Sequence, residues 1–454
     1  MLQLTENTIV HLDTPTTIAT QLTQVPIQGW IVSHSPIHKI AISSKNTYTL
    51  QLVDRPDVVA AYPNYPYVQG FIGIIPNVWL TDQNLSLIFT LDQQDIVQIF
   101  TLPIAESLDL ETHLSFLKNV NNQLYHLDVT QQCSQMRATP ISINIEITNR
   151  CNLSCPTCAR NYWDNDKNQI GDTPLALVET LRPYLERASF VSLLGYGEAV
   201  LSPNFKQILG FVRQFNPQMA MFNNGTTLSP KIADIILDAG IHGLIISLDG
   251  ATEATIQHTR TASLKTILRN VKQLRDRSVE RHLPAPRLSI SFTASRVNID
   301  ELPALVDLAV EHGFTDIFVG LAKVFNTILI PESLFLHKEH ALQRFEQAVA
   351  RGKELGVVVQ VPNFNQEQGC HQPFELFMVK WNGSVRLCCS TAIEANPPLY
   401  IETGNLYDTS LDILWNGEMA RQVRTGLLGL GKAHPICVRC PYLKSTFENF
   451  IRLL

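Results

Sequence analysis

The sequence predicts an α/β protein with an all-β region before its central βα units and a cysteine-rich segment after them. Strand-like and helix-like patterns alternate from residue 140 to about 325, which is typical of a parallel sheet. Residues 1 to about 110 instead contain short alternating strands separated by turn signals. Eight of the nine cysteines lie in two groups, at 151–158 and 370–440, which indicates metal binding.

Size and charge limit the classes of function. The 454 residues suggest about three domains of ~150 residues each. The net charge is −6 and no long run of one sign occurs, so we expect no nucleic-acid partner. We also expect no membrane partner, because no apolar stretch of about 18 residues is present. The N-terminus lacks a basic segment followed by an apolar core, so a cytoplasmic location is expected.

The N-terminal region, 1–110, has the pattern of an antiparallel β-sandwich. In Leu85–Leu91 alternate residues are apolar, and Lys39–Ser43 and Asp95–Phe100 also have strand character. Gly29-Trp30 and the segment 55–63 resemble accessory β-sandwich modules of bacterial glycan-related enzymes. A scaffold or docking role is expected here. Residues 111–139, with a short helical pattern and a polar stretch, are predicted to be a linker.

The strand before the first cysteine group is apolar on one face only. Its other face carries Ser142, Asn144, Glu146 and Thr148. Closed barrels of βα units fill their interior with branched apolar residues. A polar inner face therefore predicts a wetter and more open barrel. The alternative is that these polar positions face solvent on an ordinary sheet.

The first cysteine group has the spacing CxxxCxxC, with Cys151, Cys155 and Cys158. Iron–sulfur clusters usually take four thiolates, so three would leave one iron of a four-iron cluster open to a substrate or cosubstrate. A structural zinc site normally has four Cys or His ligands, and this loop contains no histidine. Disulfides are less expected, because they occur mainly in small secreted proteins.

The loop resembles that of the radical S-adenosylmethionine (SAM) superfamily, and the resemblance extends over about 140–325. It implies a partial (β/α)6 barrel, assigned here to 140–335. In that family the open iron binds the amino and carboxylate groups of SAM. Electron transfer then cleaves SAM to a 5′-deoxyadenosyl radical that abstracts hydrogen from the substrate. The implied cofactors are SAM and a 4Fe-4S cluster, with a reductant such as flavodoxin or ferredoxin. Thr157 departs from the family, which often has an aromatic residue there.

Active sites of such barrels lie at the carboxyl ends of the strands. Gly195-Tyr196-Gly197-Glu198 is similar to the family's Gly-Gly-Glu motif, whose Glu accepts a hydrogen bond from the SAM ammonium. Asn223-Asn224-Gly225 resembles its Thr-Asn-Gly. Each motif alone also fits an ordinary turn, and Arg260 also fits an exposed helix arginine. The resemblance implies that SAM is bound by Gly195, Gly197, Glu198, Asn224, Ser247, Asp249, Arg260 and Thr293.

The second cysteine group resembles the SPASM domain, an auxiliary cluster domain of radical SAM enzymes, and is assigned to 336–454. The resemblance rests on the pattern C-x12-G-x4-C and a final CxxC. No cysteine follows Cys440, which argues for one auxiliary 4Fe-4S cluster rather than two. The implied ligands are Cys370, Cys388, Cys437 and Cys440. Zinc held by the same four thiolates is the alternative.

Two cysteines are left outside these ligand sets. Cys389 is an alternative ligand, a hydrogen donor or a buried thiol, and Cys133 is expected to be a buried thiol.

Three functions follow from these patterns. The first is a radical SAM oxidoreductase, or maturase, that modifies an unactivated C–H position in a ribosomally made peptide, with the cofactor performing the difficult step. The second is dehydrogenation or rearrangement of a small molecule such as a sugar derivative. The third is a non-enzymatic electron-transfer or zinc scaffold protein.

Overall fold

The computed structural model describes most of the chain, in two compact units. One unit comprises Met1–Ile141 with Arg182–Ala188, and the other comprises Ser142–Leu181 with Ser189–Leu454. The described residues are 2–5, 7–15, 23–43, 47–76, 84–92, 94–101, 110–162, 169–324, 327–364, 369–388, 402–438 and 440.

The first unit is a sandwich of two antiparallel sheets. One sheet has the order β1-β2-β3-β7-β6 and the other β5-β4-β8-β9. Side chains from both sheets, including Ile31, Phe71, Ile40 and Phe89, form one buried core. This confirms the predicted all-β domain. The strands are β1 (Leu2–Thr5), β2 (Thr8–Thr14), β3 (Gln24–Ser33), β4 (Ile37–Ile42), β5 (Tyr48–Thr49), β6 (Gln51–Val53), β7 (Tyr67–Pro76), β8 (Asn84–Leu91) and β9 (Gln94–Thr101).

Three helices also belong to this unit: α1 (Pro56–Ala61), α2 (Leu110–Thr130) and α4 (Arg182–Leu185). The segment expected to be a linker thus begins with a 21-residue helix, α2. This helix packs on β3 and β7. Its buried Asp128 pairs with Arg137, with 2.6 Å between Oδ1 and Nε. The segment after α2 is therefore tied back to the helix.

The second unit contains an open sheet with six consecutive parallel strands at its centre. They are β10 (Ser142–Ile145), β11 (Phe190–Leu193), β12 (Gln218–Asn223), β13 (Gly243–Ser247), β14 (Arg287–Ala294) and β15 (Asp316–Leu321). Beyond β15 lies β16 (Val358–Gln360), and beyond β10 lie β17 (Leu376–Val379), β18 (Ser384–Arg386) and β19 (Glu402–Asn405). Within the described ranges β16 and β19 are opposite edges that do not pair, which confirms the partial barrel.

The helices of the second unit show only some of the start and end signals expected from the sequence, which are a capping residue before the first turn and a glycine just past the last. Ser229 caps α6 by accepting the Ile232 N–H at 3.4 Å, and Gly240, with φ of 66°, ends it. From the sequence, Asp300 is the expected cap of the helix that stops at Gly313. This expectation is wrong, because a 3-10 turn precedes that helix, α9 (Leu302–His312), and Glu301 is its N-cap. The helices are α3 (Leu175–Glu179), α5 (Phe205–Arg213), α6 (Pro230–Ala239), α7 (Glu253–Arg260), α8 (Leu264–Glu280), α9 (Leu302–His312), α10 (Lys338–Leu355), α11 (Gln372–Glu375), α12 (Leu411–Asn416), α13 (Glu418–Leu427) and α14 (Pro435–Val438).

Several polar positions of the barrel strands are buried, and others, such as Ser142 and Ser291, are half-buried. Asn144 in β10, Ser192 in β11 and Ser289 in β14 are each at most 6% exposed. These positions therefore do not face solvent, and the alternative of a sheet with one solvated face does not hold. Among the described helices, none has the length and apolar character needed to cross a bilayer.

Candidate functional site

The end of the first strand and the turn after β11 lie against each other, because two glycines allow it. A Cβ on Gly195 would lie 2.3 Å from Glu146 Cγ, and one on Gly197 would lie 2.1 Å from the Thr148 carbonyl oxygen. A side chain at either position would therefore collide with the lead-in to the cysteine loop. The Glu198 N–H donates to the Arg150 carbonyl at 2.6 Å. This bond places Glu198 beside the loop that begins at Cys151.

The Glu198 carboxylate is buried and held by the end of β12. One oxygen accepts the side-chain amide of Asn223, and the other accepts the Asn224 N–H at 2.8 Å. Burial raises the pKa of Glu198 to about 8, against the opposing effects of the Asn224 hydrogen bond and the Arg260 charge. A buried carboxyl of this kind is stabilised in its charged form by a cation such as an ammonium group.

Side-chain amides tie the cysteine loop to the turn after β12. Asn224 Nδ2 donates to Asn152 Oδ1 at 2.9 Å, and Asn152 Nδ2 donates to Thr226 Oγ1 at 2.9 Å. Asn224 Oδ1 in turn accepts the Thr226 N–H at 2.9 Å. The predicted site residue Asn224 thus lies next to the loop. Sequence reasoning missed Asn152, whose signal was an amide directly after the first cysteine.

Asp249, Arg260 and Thr293 are brought together beside Cys155. Asp249 is 2% exposed, and its Oδ2 lies 2.6 Å from Arg260 Nε. Its Oδ1 accepts the Thr293 N–H at 2.6 Å. The Arg260 side chain is only 15% exposed, so the alternative of an exposed helix arginine does not hold. The Cys155 thiol donates to the Arg260 carbonyl at 3.7 Å, which places this ion pair at the cysteine loop.

Two further residues support this corner of the site, and sequence reasoning missed both. Asn298 Nδ2 donates to the carbonyls of Asp249, at 3.0 Å, and Thr293, at 2.9 Å. The Glu301 carboxylate accepts the Ala251 N–H at 2.6 Å. They therefore fix the ends of β13 and β14 relative to each other. Their sequence signal was a short polar cluster following the fifth strand.

Ser247, also predicted to contact SAM, is the last residue of β13. It lies in register with Ser291 of β14, at the same edge of the sheet.

The three loop thiols lie close enough to influence one another. Burial is the main cause that raises the pKa of Cys155 to about 11; Arg260 opposes the rise, and the neighbouring Cys158 and Cys151 contribute to it. The Cys158 N–H donates to the Cys155 carbonyl at 3.0 Å, which closes a turn between these two cysteines. Because metals bind the thiolate form, metal binding at this loop would release protons from thiols that burial keeps protonated.

Three of the four predicted C-terminal ligands are also brought together. Burial, together with the nearby thiols of Cys440 and Cys370, raises the pKa of Cys437 to about 12. Cys388 lies two residues beyond β18 and is half-buried. Cys389, which the sequence left unassigned, is outside the described residues.

The spacing of the thiols in the two cysteine groups can be compared with what a zinc ion and an iron–sulfur cluster each require. Over the described ranges, no group of three or more His, Cys, Asp or Glu side chains is spaced to hold a single metal ion. An iron–sulfur cluster is larger, because each thiolate binds a different iron. A 4Fe-4S cluster would therefore hold the thiolates of one group farther apart than a single zinc ion would.

Two family descriptions match the chain. Residues 145–309 match the radical SAM superfamily, and residues 370–441 match the SPASM iron–sulfur cluster-binding domain. The chain belongs to the radical SAM superfamily. The cofactors of this radical SAM protein are SAM and a 4Fe-4S cluster, and its SPASM domain binds auxiliary iron–sulfur. Three loop cysteines beside a buried carboxyl fit these groups.

Curated relatives of this radical SAM chain are 22–26% identical to it over the aligned residues. A Pyrococcus furiosus protein named tungsten-containing aldehyde ferredoxin oxidoreductase cofactor-modifying protein is 22% identical over 39% of this chain and 50% of its own length. The PqqA peptide cyclase of Gluconobacter oxydans is 23% identical over 61% of this chain and 76% of its own length. This chain therefore spans about half the length of the Pyrococcus relative.

A solved structure has the same fold. Streptococcus suis SuiB, bound to the precursor peptide SuiA, has a TM-score of 0.54 and 12% identity, covering 79% of this chain and 83% of SuiB. At this identity the likeness shows that the fold is shared.

Proposed function

We propose that this protein is an enzyme that reductively cleaves SAM and oxidatively modifies a ribosomally made peptide. The observation that carries the proposal is the ring of polar groups around the cysteine loop. Glu198, Asn224 and Asp249 come from the ends of three different strands, and Asp249 holds Arg260, the last residue of α7. A protein that only transferred electrons or held zinc would not need these groups beside its thiols.

The chain's own residues would bind and orient the cofactors. Cys151, Cys155 and Cys158 would hold the cluster, and Glu198 would accept the SAM ammonium. Bound SAM and the reduced cluster supply the one-electron chemistry that removes hydrogen from an unactivated C–H position. Arg260 is held by Asp249 beside Cys155, where its charge is available to the SAM carboxylate. Ser247 and Thr293 complete the strand-end edge of the site.

The second cysteine group would hold one auxiliary 4Fe-4S cluster. Its proposed ligands are Cys370, Cys388, Cys437 and Cys440, which would saturate the cluster. Such a cluster carries electrons and cannot bind SAM. A reductant such as flavodoxin or ferredoxin would supply electrons to the protein.

The relatives support a peptide substrate, although one of them favours a second candidate. The Gluconobacter relative is named for cyclisation of a peptide, and SuiB, which shares the fold, was solved with its precursor peptide. The Pyrococcus relative is instead named for modification of a cofactor, which favours a small-molecule substrate. Incubation with a short peptide encoded beside the gene would separate the two candidates. Oxidation that removes two hydrogen atoms from the peptide lowers its mass, which mass spectrometry detects.

The test of the central proposal is SAM cleavage by the anaerobically reconstituted protein. With dithionite, we expect release of 5′-deoxyadenosine, measured by liquid chromatography and mass spectrometry. Replacing Cys151, Cys155 and Cys158 together by Ala should abolish release. Cys133→Ala, which changes a thiol of the first unit, is the matched control and should cleave SAM like the wild type. Undiminished release by the triple variant would contradict the proposal.

A further inference from the structure

A buried carboxylate joins two parts of the second unit that the sequence places far apart. Glu146, immediately after β10, is 1% exposed. Its Oε1 accepts the Tyr196 N–H at 2.8 Å, and its Oε2 accepts the Trp381 N–H at 3.4 Å. Tyr196 belongs to the turn that ends in Glu198. Trp381 belongs to the turn between β17 and β18, within the residues that match the SPASM domain.

The position of Glu146 is fixed on all sides. Its backbone N–H donates to the Val379 carbonyl at 2.9 Å, and its carbonyl accepts the Thr173 hydroxyl at 2.7 Å. Its side chain packs directly against Gly195, because a Cβ on Gly195 would lie only 2.3 Å from Glu146 Cγ. The carboxylate therefore cannot move without disturbing the turn at 195–198.

Trp381 is also held from the other side, by the segment that follows the cysteine loop. A Cβ on Gly171 would lie 2.0 Å from the Trp381 ring, so the ring occupies the space that a side chain would take. The Gly171 N–H in turn donates to Asn149 Oδ1 at 2.8 Å, two residues before Cys151. The hairpin tip thus packs against the lead-in to the first cysteine group.

Charges on the hairpin favour the ionised carboxylate. Burial raises the pKa of Glu146, whereas the nearby Lys380 and Arg386 lower it. Lys380 Nζ also lies 5.9 Å from the centre of the Tyr196 ring. Arg386 precedes Cys388 by two residues. The cations that compensate Glu146 therefore come from the same hairpin that leads to a proposed auxiliary ligand.

We propose that Glu146 is a positioning residue that couples the SAM-site turn at 195–198 to the β17–β18 hairpin leading to Cys388. The proposal rests on the proposed function for its meaning, since it links the SAM site to the auxiliary cluster domain. Both backbone donors are satisfied only when both turns are in place around one carboxylate. Because an unsatisfied buried donor is costly, displacement of one turn disfavours the placement of the other.

The decisive variant is Glu146→Gln. A glutamine amide keeps the size of the side chain, but its NH2 group replaces one acceptor, so one of the two backbone N–H groups loses its partner. Hydrogen–deuterium exchange of the metal-free protein should become about tenfold faster in peptides containing Tyr196 and in those containing Trp381. In the reconstituted protein, SAM affinity should fall about tenfold, and the paramagnetic resonance signal of the auxiliary cluster should change.

The matched control is Asp316→Asn. Asp316 is also a buried carboxylate of the second unit, 4% exposed and paired with Arg287 at 2.6 Å. It begins β15 and therefore lies at the amino end of the strands, away from the proposed site. This variant should lower the Tm while leaving SAM affinity, both exchange rates and the cluster signal unchanged. If Glu146 only stabilises the fold, Glu146→Gln should likewise lower the Tm and leave SAM affinity, both exchange rates and the cluster signal unchanged.

Wild-type protein provides a test that does not depend on a folded variant. Binding of SAM to the reconstituted wild type should slow exchange at the Trp381 turn as well as at 195–198. Protection of 195–198 alone, or an effect of Glu146→Gln on one turn alone, would overturn the coupling. If the wild type never cleaves SAM but Glu146→Gln still loosens both turns in metal-free protein, the proposed function fails and the coupling stands.

Discussion

The two cysteine groups differ in what surrounds their thiols. Beside the loop at 151–158 stands Arg260, whose charge lowers the pKa of Cys155 against burial and the neighbouring thiols. For Cys437, burial and the thiols of Cys440 and Cys370 all raise the pKa. The first group also lies against a buried carboxyl and amides from other strands. Under the proposed function, this contrast suits the first group to a polar ligand beside its metal.

The strongest test of this contrast is to remove each group separately. Iron-loaded wild type should hold about eight irons, at four per cluster, and each removal should leave about four. Loss of the loop cysteines should abolish SAM binding. Changing Cys437 and Cys440 together to Ala should instead preserve SAM binding and impair product formation, because only the first cluster has an open iron. Iron analysis with paramagnetic resonance of both variants would measure this.

Two results would break the contrast. If the Cys437 and Cys440 double variant kept all of its iron, or if the C-terminal segment bound zinc, the auxiliary-cluster assignment would be wrong.

A test with an intermediate expected effect uses the pH dependence of stability. Burial raises the pKa of Glu198 from 4.5 to about 8, so between these values the folded metal-free chain binds more protons at Glu198 than the unfolded chain. Its contribution to stability is therefore lost as pH rises through this window. Glu198→Gln removes the titration, and its Tm relative to wild type should rise with pH from 4.5 to about 8. A Tm difference that stays constant across this range would show that Glu198 ionises normally.

The smallest expected effect is that of Asn152→Ala. This change removes two side-chain hydrogen bonds between the cysteine loop and the turn after β12. Because Asn152 is exposed, we expect a loss of only about 1 kcal/mol in the free energy of unfolding of metal-free protein. Asn119→Ala, which removes an exposed hydrogen bond that the Gln123 side chain donates to Asn119 within α2, is the matched control. SAM affinity should fall in the first variant alone, and equal affinities would show that the Asn152 link does not shape the site.

Local patterns predicted much of the fold and the order of the site. The cysteine spacing and the strand alternation are each set by residues close in sequence, so the barrel and the sandwich were foreseeable. Asn298 and Glu146 act through partners 49 and 235 residues away, which no local pattern encodes. The cap at Asp300 was misassigned for a related reason, since its carboxylate binds Arg344, 44 residues away, at 2.7 Å.

The division of the chain into units has a consequence for its synthesis. The first unit includes Arg182–Ala188, and within it Thr23 Oγ1 donates to Glu186 Oε2 at 2.7 Å across 163 residues. A ribosome must therefore release β10 and the whole first cysteine group before the N-terminal unit has all of its residues. Long-range closure of this kind slows folding. The nascent chain thus presents the thiols of Cys151, Cys155 and Cys158 while its oldest part is still incomplete.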